Sequence, residues 1–452
     1  MTLLGCCLFL AFIVEIHTLT VNKDSESLST LSDVSIDLQV TKLLLEKNLF
    51  TALEDNMFSN FTYLAEIFLN HNPISHVSPS AFDGCPIEKI ELAYNKLSTF
   101  PDFNIIAPTL RYLQLSGNPL SHITADDVKN LTLDVLYIRF IRFEPNFDVY
   151  HNLRENLMTT HISFIQNITD EFCGMPNLHT ARIFLGSFLN EPVTDEHFKN
   201  ASLSILTLEQ MQLTTFPYFE DQAQLMRIMT IVGNSFADPI EANTFAHYKK
   251  LKELNMKNNG ISVFPDISPL SDTLKFLNLA DNHITSVPRD LLANFSSLIY
   301  LSIEGNPLGK IPDLGDVSTN IETLIMKSTS LGNVSCENLA PFTSLTEINL
   351  GQNSIEEVSA LSCINSTLVK LYLGDNAIES LDLNAWTFLG SLTELDLSGN
   401  PLRSLCENYA SVPLRASIHN SGLLFPSSFG TTNADGELVC FDCHHSLDVW
   451  LN

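Results

Sequence analysis

The chain has 452 residues, 45% of them hydrophobic, and carries 52 acidic against 24 basic side chains for a formal charge of -28. So acidic a surface argues against binding a phosphate backbone or a heparin-like polyanion, both of which draw on Lys and Arg. It is compatible with a basic protein partner, and more simply with solubility. The length exceeds one usual globular core, although an array of repeats can grow without splitting.

Leu3 to Val14 (LLGCCLFLAFIV) is an apolar run of 12 residues. It is too short to span a bilayer and suits the core of a secretory signal. Residues 1–17 are therefore expected to be a signal peptide, cleaved between Glu15 and Thr20. No second apolar run of membrane length follows, and the end of the chain (SLDVWLN) is not a lipid-anchor signal, so no membrane anchor is expected. Residues 18–37 are read as an N-terminal capping segment. Ser32 to Val40 (SDVSIDLQV) alternates polar and apolar residues, which predicts a strand covering the first coil.

From Val40 to Leu402 one pattern recurs sixteen times, Leu-x-x-Leu-x-Leu-x-x-Asn-x-Leu/Ile, as in LRYLQLSGNPL at 110–120 and LKFLNLADNHI at 274–284. Its Asn stands at Asn48, Asn72, Asn95, Asn118, Asn234, Asn259, Asn282, Asn306, Asn353, Asn376 and Asn400. Leu-x-Leu places two side chains on one face of a short strand. The Asn turns the chain, and its amide can satisfy backbone groups of the adjacent coil. One unit cannot bury its own leucines, so neighbours must stack. The period is the signature of leucine-rich repeats. The expected fold is an α/β repeat over residues 38–405: a horseshoe solenoid of about 16 turns with one curved parallel sheet on its concave face.

The register falters between Leu133 and Leu213, where the Asn position reads Ile141, Gly186 and Met211, and one repeat near His161 to Asn167 is too degraded to phase. The outward strand positions there become large: Tyr137, Arg139, Phe140, Arg182, Phe184 and Leu185, against Asn255, Asn278 and Asn349 later. Aromatic residues with Arg on an exposed face are the composition of binding hot spots. Drift among relaxed repeats would give the same pattern.

Seven Cys remain after the signal, so one is expected to be free or intermolecular. Cys336 and Cys363 lie 27 apart, about one repeat, and adjacent turns can bring them together. Cys406, with Cys440 or Cys443, is expected to close a C-terminal cap over residues 406–452. Cys440-Phe441-Asp442-Cys443-His444 also fits a haem-attachment spacing and could contribute to a zinc site. A cap disulfide is the default in an oxidising compartment, and no metal or other cofactor is expected. Glycosylation sequons stand at Asn60, Asn130, Asn167, Asn200, Asn294, Asn333 and Asn365. Asn60, Asn130, Asn200, Asn294 and Asn365 share one phase, in the turn that leads into a strand.

With signal and sequons, these motifs resemble the animal extracellular leucine-rich repeat proteins, the group that includes Toll-type receptor ectodomains, matrix small proteoglycans and secreted accessory subunits. The resemblance covers Leu38 to Leu402. It implies a secreted, non-enzymatic scaffold that recognises an extracellular protein or glycoprotein, with a structural matrix protein as the alternative. Ser116-Gly117, Ser398-Gly399 and Ser421-Gly422 are the glycosaminoglycan candidates that the alternative would use. The cysteine-rich N-terminal cap common in that group is absent, since no Cys lies between Val21 and Gly84. No nucleophile elbow, His-Glu-x-x-His, phosphate loop or paired-carboxylate motif is found, so no catalytic residue is expected.

Overall fold

The computed structural model describes residues 19–33, 35–139, 148–163, 172–184, 193–236, 239–292, 294–364, 367–380, 391–401, 430–432 and 438–440. The chain divides into two compact units, 1–162 and 163–452. In the first, parallel strands run in chain order from Thr20–Asn22 through Lys42–Leu44, Glu66–Phe68, Lys89–Glu91, Tyr112–Gln114 and Val135–Ile138 to Thr159–Ser163. The second holds a parallel series from Thr180–Phe184 and Ile205–Glu209 to Lys370–Tyr372 and Glu394–Asp396. Each repeat adds one strand beside the last, the order that a leucine-rich repeat solenoid requires. A separate antiparallel pair joins Gly430–Thr432 to Leu438–Cys440.

Most repeat strands are only three residues long, and their central residue is buried: Leu43, Ile67, Ile90, Leu113 and Leu136 in the first unit, Leu254, Leu277, Leu301, Leu324, Ile348 and Leu371 in the second. Burying one such side chain stabilises by about 1.5–3 kcal/mol. On the loop side a second apolar layer is built of phenylalanines. Phe58 stacks on Phe82 with centroids 5.2 Å apart, Phe172 on Phe198 at 5.6 Å, and Phe198 meets Phe219 edge-on at 6.0 Å.

The asparagines join one repeat to the next. Asn282 is buried; its Nδ2 donates to the Met256 carbonyl of the preceding repeat at 3.0 Å and to Leu279 of its own at 2.9 Å. Its Oδ1 accepts from the Asn259 and Ile261 N–H groups, both at 3.0 Å. Asn72, Asn95, Asn118, Asn306, Asn376 and Asn400 repeat the arrangement; Asn48, Asn234 and Asn259 keep the bonds to the preceding turn. Asn353 makes the same bonds while half-buried. Thr329 stands at the ladder position between Asn306 and Asn353, and its hydroxyl donates to the Met326 carbonyl at 2.7 Å. Met211, one of the three breaks, is buried and offers only its backbone N–H, which Asn234 Oδ1 accepts. The other two, Ile141 and Gly186, lie outside the described residues.

The residue before each described ladder position is left-handed, with φ between 52° and 75° from Lys47, His71, Tyr94 and Gly117 to Gln352, Asp375 and Gly399. This turn drops the chain off the strand and aims the Asn inward.

The N-terminal segment differs from expectation. Among its described residues Ser32 to Val40 holds no strand: Leu31–Asp33 is a short 3-10 turn, and the Asp37 carboxylate accepts from the Gln39 N–H while its carbonyl accepts from Val40. This self-bonded Asp makes the segment turn. The covering strand is Thr20–Asn22 instead, in register with Lys42–Leu44.

Cys336 and Cys363 are disulfide-bonded, with Cα atoms 5.4 Å apart. Cys406, Cys443 and the Cys440 side chain lie outside the described residues. Cys85 and Cys173 are free, the first buried and the second half-exposed. Burial, and then Asp83, push the Cys85 thiol up to about 11. The neutral thiol is thus favoured by the fold, and its contribution, present below the ordinary thiol value, is lost only as pH rises through about 11.

Two outcomes are expected. Asn282→Ala orphans buried backbone groups and should destabilise by about 1–3 kcal/mol, read as a lower denaturation midpoint. Iodoacetamide at pH 8 should modify Cys173 well before Cys85, as peptide mass mapping of the alkylated chain would reveal.

Candidate binding face of the first unit

Register, more than sequence neighbourhood, decides what the strand face of the first unit presents. Pairing aligns Lys42, Glu66, Lys89 and Tyr112 in one row and Leu44, Phe68, Glu91, Gln114, Tyr137 and His161 in the next. Parallel strands stand about 4.8 Å apart, so long side chains in these rows reach one another. Lys42 Nζ lies 4.6 Å from the Phe68 ring centre and Lys89 Nζ 4.7 Å from it. Lys89 Nζ also sits 4.2 Å from the Tyr112 ring. Tyr112 meets Tyr137 edge-on at 5.4 Å, and Tyr137 stacks on His161 at 3.9 Å. A continuous strip of rings and ammonium groups thus crosses the unit from Lys42 to His161.

Carboxylates fix the strip in place. Lys42 pairs with Glu66 at 3.2 Å and Lys89 with Glu91 at 2.8 Å. Asn70 Nδ2 donates to Glu46 Oε1 at 2.6 Å and to Glu91 Oε2 at 2.7 Å, while its Oδ1 accepts from the Ala93 N–H. Gln114 Oε1 accepts from the Ser116 N–H, and Ser116 Oγ accepts from the Arg139 N–H. Lys42, Lys89 and Arg139 balance Glu46, Glu66 and Glu91 in number, so the strip is near neutral on a strongly acidic chain. Burial first, then Glu91 and Tyr137, hold the Tyr112 phenol well above the usual tyrosine range. It stays a neutral hydroxyl at any physiological pH.

Beside the strip runs a rim built from the left-handed column. His71 and Tyr94 stack with centroids 4.7 Å apart and planes within 5°. Tyr94, half-exposed, lays its ring over Gly117, where an added Cβ would meet ring carbons at 2.6 and 2.9 Å.

The residues expected to form the binding patch do not all come together. Tyr137 and Arg139 are half-buried members of the first unit's face, whereas Arg182 is exposed in the second unit, in register with Thr207. Phe184 corrects the expectation that it points outward: it is buried, although the strand alternation gives it the parity of Arg182. A phenyl ring at a strand end has no hydrated group to keep it in water, and burying it is favourable by about 2–3 kcal/mol. Phe140 and Leu185 lie outside the described residues. Lys42, Phe68, Lys89, Tyr112 and His161 were missed by reading along the chain; comparing the outward positions of all early repeats would have found them. Asn60, Asn130, Asn200, Asn294 and Asn333 are exposed, and Asn167 and Asn365 lie outside the described residues. Among the described residues no group of three or more His, Cys, Asp or Glu side chains is placed to hold a metal ion, and no helix is long and apolar enough to cross a membrane.

The chain carries leucine-rich repeats. Family models described as leucine rich repeat match residues 39–97, 109–131 and 343–402. Its relatives include small leucine-rich proteins and Toll-like receptors of animals, the group that the motif resembles. Podocan-like protein 1 of Mus musculus is 25% identical over 60% of this chain and 54% of its own length. Tsukushi of Gallus gallus is 23% identical over 55% of this chain and 70% of its own. Toll-like receptor 4 of Bos taurus is 26% identical over 37% of this chain and 21% of its own. The matches thus span about half of the first relative and a fifth of the receptor. Among solved structures, a leucine-rich repeat protein of Leptospira interrogans superposes with a TM-score of 0.61 at 22% identity, over 85% of this chain and 95% of that one. TLR13 in its complex with ssRNA13 gives 0.54 at 18%, over 93% and 71%. At these identities the likeness shows the fold.

A pair of substitutions isolates the Tyr94 contact. Gly117 and Gly260 share a left-handed φ, +75° and +72°, but an added Cβ at Gly260 meets nothing within 4 Å. Gly260→Ala should cost about 1–2 kcal/mol of backbone strain. Gly117→Ala should cost more, because the Tyr94 ring must also move, and parallel thermal melts compare the two.

Proposed function

We propose that this chain is a secreted, non-enzymatic scaffold whose protein or glycoprotein partner docks on the strand face of the first unit, across the strip from Lys42 to His161. The observation that carries the reading is the strip itself. Rings and cations held in fixed contact are pre-organised, so little side-chain freedom is lost on binding. Aromatic residues with basic neighbours are the groups that dominate interface energetics. The near-neutral strip suits a protein surface better than a polyanion, and the RNA of the TLR13 complex remains a property of TLR13. Exposed sequons at Asn60 and Asn130 lie in the loops before strands, off the strip. Glycans there would leave this face open.

Secretion rests on the apolar leader at Leu3 to Val14 and on the extracellular relatives. The matrix reading draws on the podocan-like and lumican relatives. Of its glycosaminoglycan candidates, Ser116 is buried and bonded to Arg139, which disfavours modification there.

Glycan wedges test the face directly. Gln114→Asn creates a sequon on the strip, because Ser116 already follows two residues later, and Ala280→Ser creates the equivalent one at Asn278 in the second unit. Extracellular proteins captured by the unaltered chain would be measured one at a time against both variants and Tyr137→Ala. The strip wedge should abolish binding and Tyr137→Ala should weaken it about thirtyfold, near 2 kcal/mol. Binding blocked only by the Asn278 wedge, or by neither, would refute this docking site.

A further inference from the structure

On the loop side of the second unit, the turn from Pro312 to Ser318 and the short helix Cys336–Leu339 of the next repeat enclose a cavity of about 270 Å³. Its apolar lining consists of Leu314 and Phe342, both buried, with Pro312 and Pro341. The polar lining is largely engaged: Ser318 Oγ donates to the Gly315 carbonyl, and Asn338 Oδ1 accepts from the Ser335 N–H and hydroxyl. Two exposed acidic residues line it, Asp313 from the turn and Glu337 from the helix. Asp313 already holds a guanidinium, with Arg289 Nη1 3.0 Å from one oxygen, while its other oxygen accepts from the Gly315 N–H. Glu337 has no hydrogen bond or ion pair among the described residues. Its helix opens on Cys336, disulfide-bonded to Cys363 of the following repeat, so the carboxylate is presented from a fixed wall.

We propose that this cavity receives one arginine side chain of a protein partner, its stem against Leu314 and Phe342 and its guanidinium on Glu337. Three features select this guest. The volume falls below the roughly 300–1,000 Å³ of a drug-sized ligand site, which suits a single side chain. An apolar lining with acidic residues matches a side chain with an apolar stem and a cationic head. Residues 163–452 carry 33 acidic and 14 basic side chains, a net charge of -19 from 14 - 33, and draw cations toward this unit. A planar guanidinium also matches carboxylate geometry better than an ammonium does. The site stands on observations separate from the strip of the first unit.

The test uses the full chain with two small probes, Nα-acetyl-arginine amide and its neutral isostere Nα-acetyl-citrulline amide, measured by saturation-transfer NMR. The arginine probe should bind about fivefold or more tightly than the citrulline probe. Glu337→Gln should bring the arginine probe down to the citrulline level with the melting temperature unchanged, while Glu356→Gln and Tyr137→Ala leave it unaltered. Equal binding of the two probes, no binding of either at millimolar concentration, or an unaffected Glu337→Gln variant would overturn the assignment. Equal binding of the two probes to the unaltered chain overturns the assignment even if the substitution disturbs folding.

Discussion

The side-chain amide of a buried asparagine is the interaction on which the rest of this molecule depends. Three-residue strands and four-residue helical turns hold too few backbone bonds to be stable alone. Each coil also leaves N–H and C=O groups inside, and an unmade buried bond costs about 1–3 kcal/mol. An amide has two donors and one acceptor oxygen, and Asn282 uses them to close four such gaps, three across the repeat boundary and one inside its own coil. Hydrophobic stacking brings the repeats together; the amide fixes their spacing and register.

Substitutes at the ladder position show which part of that chemistry is indispensable. Thr329 supplies one donor and keeps the bond within its own repeat, and Asn353 reaches back to accept the Thr329 N–H. Met211 supplies no side-chain donor, while Asn234 still accepts both the Met211 and Leu213 N–H groups, as Asn282 does those of Asn259 and Ile261. Gln222 brings the same amide chemistry to the loop side, accepting from Leu203 N–H and donating to Phe198 and Ala201 carbonyls. A repeat that loses its asparagine gives up the donors and keeps the bonds that the next asparagine makes.

This explains what was legible in the sequence. The strands at Lys42–Leu44 or Phe276–Asn278 follow from a motif whose every position has a local physical role. Thr20–Asn22 carries no such motif: it is a strand because Lys42–Leu44 offers it an edge, while the better alternating pattern of Ser32 to Val40 is broken by the Asp37 turn. Phe184 fails for a related reason, since alternation predicts parity within a sheet but not the packing of a residue at its end. The strip was hidden because its successive members are 21 to 26 residues apart along the chain and neighbours only across the register, as Phe68, Lys89 and Tyr112 are. Degenerate repeats draw the eye, yet among the described residues most ring contacts of the first unit lie in regular ones.

The stacking direction then governs what those rings can recognise. Phe68 lies between two ammonium groups, and Tyr94 lies between the His71 ring and the bare backbone of Gly117. Their faces are therefore occupied along the stacking direction, and a partner approaching from solvent meets ring edges and hydroxyls. Ring edges carry the positive end of the aromatic quadrupole, so they complement carbonyl and carboxylate oxygens and the flanks of other side chains. A flat ligand needs an open ring face, which these contacts deny it. The same ion pairs that neutralise Lys42 and Lys89 also remove the long-range attraction that would draw a polyanion. What remains is short-range fit by shape, hydroxyl and ring edge, the kind of complementarity a folded protein surface supplies.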